Sequence, residues 1–320
     1  MASSNQAVLN GSSYSSNMST VSDRLARKPL RNVKELFIEA LLFAAAFVSV
    51  LTTIGIIYVL VSESVYFFER VPISLFLTDT VWTPLFTNPR YGILPLLSAT
   101  LTTSLVALFV AIPIGTTIAI YLSEFAKPRT REVVKPFLEL LGGIPTIVYG
   151  HFALIALTPL LQYFFPNLPG FNMLSAGLIM GIAIVPYISS LAEDAMRAVP
   201  MSMREGAYAM GSTRFQTAIT VVFPAALSGI LSAYILGISR AVGETMIVAV
   251  AAGMQPQLTM DPTEPGQTIS AYIVQVALGD LPHGSLEYQS IFAAGLSLMV
   301  LTLMFNLAGH FIRRKYREVY

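Results

Sequence analysis

The 320-residue sequence contains no cysteine, which excludes disulfides and thiolate metal sites. Charge is scarce: 12% of residues are Asp, Glu, Lys or Arg, where a soluble domain carries roughly 25%. The three histidines, His151, His283 and His310, lie in different segments, so no histidine metal site is expected and each reads as a packing or interface residue. The dipeptide Gly-Lys does not occur, and with it goes any Walker A phosphate loop. If the chain uses ATP, another subunit must hydrolyse it. No nucleophile–base arrangement is visible, so neither an enzyme nor a cofactor is expected. No nucleic-acid partner is expected either.

What remains is apolar. Hydrophobic residues make up 54% of the chain, and the mean hydropathy is +0.67. These values indicate an all-α integral membrane protein with lipid as its surroundings. Six apolar runs are long enough to span: about 39–61, 94–122, 138–161, 173–192, 225–252 and 290–312. Basic residues orient them. With both termini inside, sixteen of the 19 fall in inner segments, only Arg70 and Arg90 fall in outer loops, and Arg240 sits within a span. That asymmetry gives an N-in, C-in topology. Residues 1–35 read as a disordered polar tail ending in a basic collar of Arg24, Arg27, Lys28, Arg31 and Lys34. Residues 36–93 supply a first span and an external loop, and 94–320 the main membrane domain.

The outer loops and the third and fourth spans carry several local signals. Trp82, the only tryptophan, is expected to anchor at the membrane interface. In the acidic third outer loop, Ile269, Tyr272, Ile273 and Val276 have helical spacing. That predicts an amphipathic helix near 268–278, either lying on the outer face or packed on the spans. The third span opens with L-L-G-G-I-P-T-I-V-Y-G, where Gly142, Gly143 and Pro145 are candidates for a bend that lines a pathway. Glu139 is expected to pair with Lys135, one turn earlier. Gly177 and Gly181 in the fourth span form a G-x-x-x-G pair that reads as helix packing.

Arg240 and Glu244 lie inside the fifth apolar run. On an unbroken helix a spacing of four puts them on one face, about 6 Å apart along the axis. An ion at mid-membrane costs at least ~3 kcal/mol, so such residues face the bundle or a wet cavity. A structural ion pair is one reading. The other is an anion site, with Arg240 offering a planar two-pronged donor to a tetrahedral oxyanion and Glu244 neutralising it when empty.

Glu205–Pro224 is a polar stretch between spans, on the side assigned to the cytoplasm. Ser202 and Glu205 form a capping-box pattern, and so do Thr213 and Gln216; Gly211 between them supplies a left-handed residue. Pro224 suits the first turn of the run that follows. Two short helices joined at a glycine elbow are expected over 202–224. They expose Ala207, Tyr208 and Met210 and need a surface to dock against.

This stretch resembles the cytoplasmic coupling loop of binding-protein-dependent ABC importer permeases, whose pattern is E-A-A-x3-G-x9-I-x-L-P. Glu205, Ala207, Gly211 and Pro224 match it, and Gly206 stands where the pattern has alanine. Residues from about 30 to 320 further resemble the phosphate-specific branch of that family, PstC type. The carrying segments are G-G-I-P-T-I-V-Y-G (142–150), R-A-V-G-E-T-M (240–246) and the C-terminal run from 271 to 317. The resemblance implies a type I ABC importer fold and a place in the bacterial plasma membrane. It also implies a sister permease of PstA type, two copies of a cytoplasmic ATPase and an external phosphate-binding protein. It places the charged pair of R-A-V-G-E-T on the phosphate pathway. Two alternatives remain at this level: a permease for another oxyanion or nutrient, and a transporter driven by an ion gradient.

Overall fold

The computed structural model describes residues 29–282 and 284–315, with side chains from Glu35 onward. The expected polar tail, the collar residues Arg24, Arg27 and Lys28, and also His283 and Arg317 lie outside the described residues. The chain divides into two compact units, Met1–Val59 and Leu60–Tyr320. Among the described residues it is helical, apart from a single bridge pairing Trp82 with Tyr91.

In the first unit, the helix α1 (Pro29–Arg70) begins, and every side chain from Glu35 to Val59 is exposed. An apolar helix without buried positions suits a lipid surrounding.

The second unit is a bundle. After the short α2 (Ile73–Thr78) come α3 (Leu94–Ile120), which continues through a π-turn to Phe125, and the amphipathic α4 (Pro128–Gly143). The third span follows as α5 (Thr146–Phe152), a π-turn and α6 (Thr158–Phe164). It begins at Thr146, not near 138, because the chain breaks at Ile144 and Pro145. The central helix is α7 (Met173–Arg197), started by the Asn172 side chain accepting from the Ser175 amide at 2.7 Å. Its main contacts are with α3. A Cβ on Gly181 would lie 2.7 Å from the Ala107 carbonyl oxygen, and one on Gly177 would lie 2.7 Å from Val106. The G-x-x-x-G pair is therefore a packing device, as expected.

Beyond α7 lie α8 (Met201–Ala209), α9 (Arg214–Thr217), a π-turn and α10 (Phe223–Ala225). At Ala226 the axis bends by 73° into α11 (Leu227–Val242). Pro224 thus sits just before this bend rather than opening a straight span. A second break at Gly243–Thr245 precedes α12 (Met246–Ala251). The fifth span is therefore not the continuous helix 225–252. Among the described residues, five helices are long and apolar enough to span, or six if the bent pair counts as one. The last two helices are α13 (Ile269–Ala277) and α14 (Leu286–Lys315).

The predicted helix near 268–278 is α13, and it packs into the bundle: Ile269, Tyr272 and Val276 are buried. Trp82 is 1% exposed, so it is no interface anchor. It stands edge-on to Tyr272 at 4.9 Å, in a cluster with Phe67, Phe76 and Tyr91. A ring this large contributes most when fully enclosed. Burial, with the Glu287 carboxylate adding to it, pushes the Tyr91 hydroxyl up to about 12.

Candidate substrate pathway and coupling surface

The last carbonyls of a helix lack partners within it. At the end of α4, two tyrosine hydroxyls supply them: Tyr149 donates to Leu141 O at 2.8 Å and Tyr187 to Gly142 O at 3.0 Å. Gly142 and Gly143 close α4, and Pro145, extended at φ −56° and ψ 133°, leads into α5. The bend expected at Gly142, Gly143 and Pro145 is present. Tyr187 joins it to the cation of the fifth span. The Arg240 guanidinium carbon lies 4.1 Å from the Tyr187 ring centroid, a cation–π contact. Arg240 Nε is buried and has no hydrogen-bond partner among the described residues.

Glu244 does not share a helix face with Arg240. The helix stops at Val242, and Glu244 stands in the break beyond Gly243. Its Oε1 faces the Ile247 amide at 3.5 Å, at the start of α12, and its backbone carbonyl accepts from Ser270 Oγ at 2.7 Å. Among the described residues the two form no ion pair; an aromatic ring, not the carboxylate, holds Arg240.

At the end of the bundle assigned to the cytoplasm, Gly211 has φ +86°, the left-handed turn that separates α8 from α9. The Thr213–Gln216 capping box is complete, with Thr213 N donating to Gln216 Oε1 at 2.9 Å and Gln216 N to Thr213 Oγ1 at 3.3 Å. The Ser202 box is absent. The preset backbone of Pro200 starts α8 at Met201, which leaves Ser202 inside the first turn. Glu205, Gly206, Tyr208, Met210, Gly211 and Pro224 are exposed, whereas Ala207 is half-buried. Met210 at 87% and Phe215 at 64% exposure leave apolar side chains of this segment uncovered.

A model of the family described as "binding-protein-dependent transport system inner membrane component" matches residues 111–318. The chain belongs to that family. The permease is 34% identical over 242 residues to the "Probable ABC transporter permease protein YqgH" of Bacillus subtilis, covering 75% of this chain and 78% of the relative. It is 35% identical to a "Phosphate transport system permease protein PstC" of Mesorhizobium japonicum, covering 72% and 75%. A "Probable phosphate transport system permease protein PstC" of Methanocaldococcus jannaschii is 30% identical, covering 79% and 87%. The fold matches that of a bacterial ABC transporter for alginate import, with a TM-score of 0.61 at 16% identity, over 90% of this chain and 100% of the other. It also matches the MetNI methionine transporter, with a TM-score of 0.52 at 18% identity, over 71% and 95%. The architecture is that of the type I ABC importer permeases, a multi-pass membrane protein.

Two ionic centres of the permease lack a local signature. Arg204 on α8 is buried and grips Glu124, with Nη2 at 2.9 Å from Oε1 and Nε at 3.2 Å from Oε2. It also donates to the carbonyls of Val199 at 2.6 Å and Met196 at 2.9 Å. This fork fastens the exposed α8 to α3 and α7. The second centre is Glu193, which is fully buried near the end of α7. Arg131 donates to it, and Lys135 lies 3.3 Å away. Lys135 also reaches Asp194 at 2.8 Å, while Glu139 is exposed, so the expected Glu139–Lys135 pair gives way to bonds between α4 and α7. Longer-range acidic partners win because they offer two carboxylates where Glu139 offers one.

Proposed function

We propose that the permease is a membrane-spanning subunit of an ATP-driven inorganic phosphate importer in the bacterial plasma membrane, with residues 94–320 as its transport domain. The names of the relatives in Mesorhizobium and Methanocaldococcus support the substrate. The observation that carries the reading is Arg240: a cation within the bundle, held by a ring face, whose buried Nε has no acceptor. A tetrahedral oxyanion supplies that acceptor and can take a second guanidinium donor in the same plane.

Its partners in this reading are a sister permease of PstA type, a cytoplasmic ATPase dimer and an external phosphate-binding protein. Glu205, Gly206, Ala207, Gly211 and Pro224 form the segment that takes the ATPase. Closure of the ATPase pushes α8 and α9, and the bend at Ala226 transmits that movement to α11, which carries Arg240. Gly142, Gly143 and Pro145 border the path through the Tyr187 bridge. Glu244, across the helix break from Arg240, accepts a hydrogen bond from the proton-bearing oxygen of hydrogen phosphate, a donor that sulfate lacks.

Two experiments test this reading, the first against an ion-gradient transporter and the second at Glu244. Radiolabelled phosphate uptake in cells is expected to stop on deletion of the partner ATPase and to survive an uncoupler. The reverse pattern identifies a secondary transporter. Glu244→Gln is expected to erode the preference for phosphate over sulfate; an unchanged preference removes Glu244 from substrate recognition.

A further inference from the structure

At the basic end of the bundle, α11 and α14 flank an open cavity of about 570 Å³ lined by Ser228, Gly229, Ser232, His310, Arg313 and Arg314. A neighbouring cavity of about 260 Å³ shares Ser232, His310 and Arg313 and adds Ile235, Leu236 and Asn306. Among the described residues, neither Arg313 nor Arg314 pairs with a carboxylate. The nearest polar contact is Arg313 Nη2 to His310 Nδ1 at 3.3 Å. Ser232 donates to the Ser228 carbonyl at 2.8 Å, which leaves the Ser228 hydroxyl as the free donor on the opposite wall. The 16-residue α11 starts at Leu227 after its 73° bend, so its electropositive end adjoins this wall.

We propose that this cavity binds the phosphate headgroup of an anionic phospholipid from the cytoplasmic leaflet. Two arginines with no carboxylate partner among the described residues, an imidazole, a hydroxyl and a helix start converge on one space, and together they suit a tetrahedral phosphate oxyanion. Continuity of the two cavities points to a lipid rather than a free ion. Moving from the polar end along both helices, the lining changes from Ser228 and Arg313 to Ile235 and Leu236. Leu236, Leu303 and Leu307 are about half exposed there, at 53%, 52% and 49%. A dissolved anion has no use for that apolar extension, whereas an acyl chain does. The two walls are held at fixed spacing, since a Cβ on Gly309 of α14 would lie 2.4 Å from Ile235 of α11.

The test is native mass spectrometry of the full chain, purified in mild detergent with the subunits that accompany it. Phosphatidylglycerol or phosphatidylcholine is added back as the probe. Wild type is expected to retain phosphatidylglycerol preferentially, and Arg313→Gln with Arg314→Gln to weaken it by about fivefold per arginine. Arg129→Gln, an exposed basic residue elsewhere on the same face, is expected to change nothing. Equal retention in the double variant overturns the site, as does an equal loss in Arg129→Gln, which indicates diffuse charge. Displacement of the lipid by excess inorganic phosphate overturns the lipid assignment in favour of a free-anion site. If the double variant does not purify, Ser228→Leu fills the cavity without altering its charge, and it must lower retention for the proposal to stand.

Discussion

Arg240 stacks on Tyr187, its guanidinium carbon 4.1 Å from the ring centroid, while the Tyr187 hydroxyl holds the Gly142 carbonyl at 3.0 Å. One side chain therefore touches both the Arg240 cation and the break between α4 and α5. A desolvated cation–π contact stabilises by about 2 kcal/mol, and a neutral hydrogen bond by about 1 kcal/mol. Tyr187→Leu is expected to reduce phosphate uptake at least tenfold, because Arg240 loses the surface that orients it. Tyr187→Phe keeps the ring and is expected to stay within about fivefold of wild type, the size of one neutral hydrogen bond. Equal effects of the two substitutions would show that the ring face does not position Arg240.

The Arg204–Glu124 fork makes a second prediction. Their side chains are only 10% and 5% exposed, and removing one member of a buried pair costs about 3–5 kcal/mol. Arg204→Ala is expected to release α8 from the bundle and to reduce the ATPase that co-purifies. Arg204→Lys, lacking the fork, is expected to give an intermediate yield. Wild-type recovery of the ATPase with Arg204→Ala would mean that α8 is held by its apolar contacts alone.

Alkaline stability follows from Lys135. Burial works against its charge, but the carboxylates of Asp194 and Glu193 hold its ammonium above the ordinary lysine value. A raised folded-state value gives stability that is complete below the ordinary lysine value, about pH 10. That contribution is lost as pH climbs through the raised value. In detergent, wild type is expected to melt above Lys135→Met by a margin that is constant from neutral pH to about pH 10 and narrows beyond it. A margin that already shrinks between pH 7 and 9 contradicts this account.

Local features were legible in the sequence because their partners are three or four residues away. Gly211 and the Thr213–Gln216 box are of this kind, as is the helix periodicity of Ile269 to Val276. Ser202 misled because a proline two residues earlier already fixes where the helix starts. Composition located Arg240, but the spacing to Glu244 has meaning only on an unbroken helix, and the sequence G-E-T interrupts it. Tyr187, which contacts Arg240 where Glu244 does not, lies on another helix. The Arg204–Glu124 and Arg131–Glu193 pairs join residues 80 and 62 positions apart. No pattern within one segment encodes those meetings; they depend on how α3, α4, α7 and α8 pack. Trp82 belongs to the same class, since its burial requires α13 from far along the chain.

The most direct test of the central claim is the concentration dependence of phosphate uptake by Arg240→Lys and Arg240→Gln, at equal membrane levels of the permease and its ATPase. A point charge lacks the planar fork, so the lysine variant is expected to lose at least tenfold in uptake at subsaturating phosphate, and the glutamine variant more. Wild-type uptake by Arg240→Gln, with normal assembly, would contradict the assignment of Arg240 as the anion ligand.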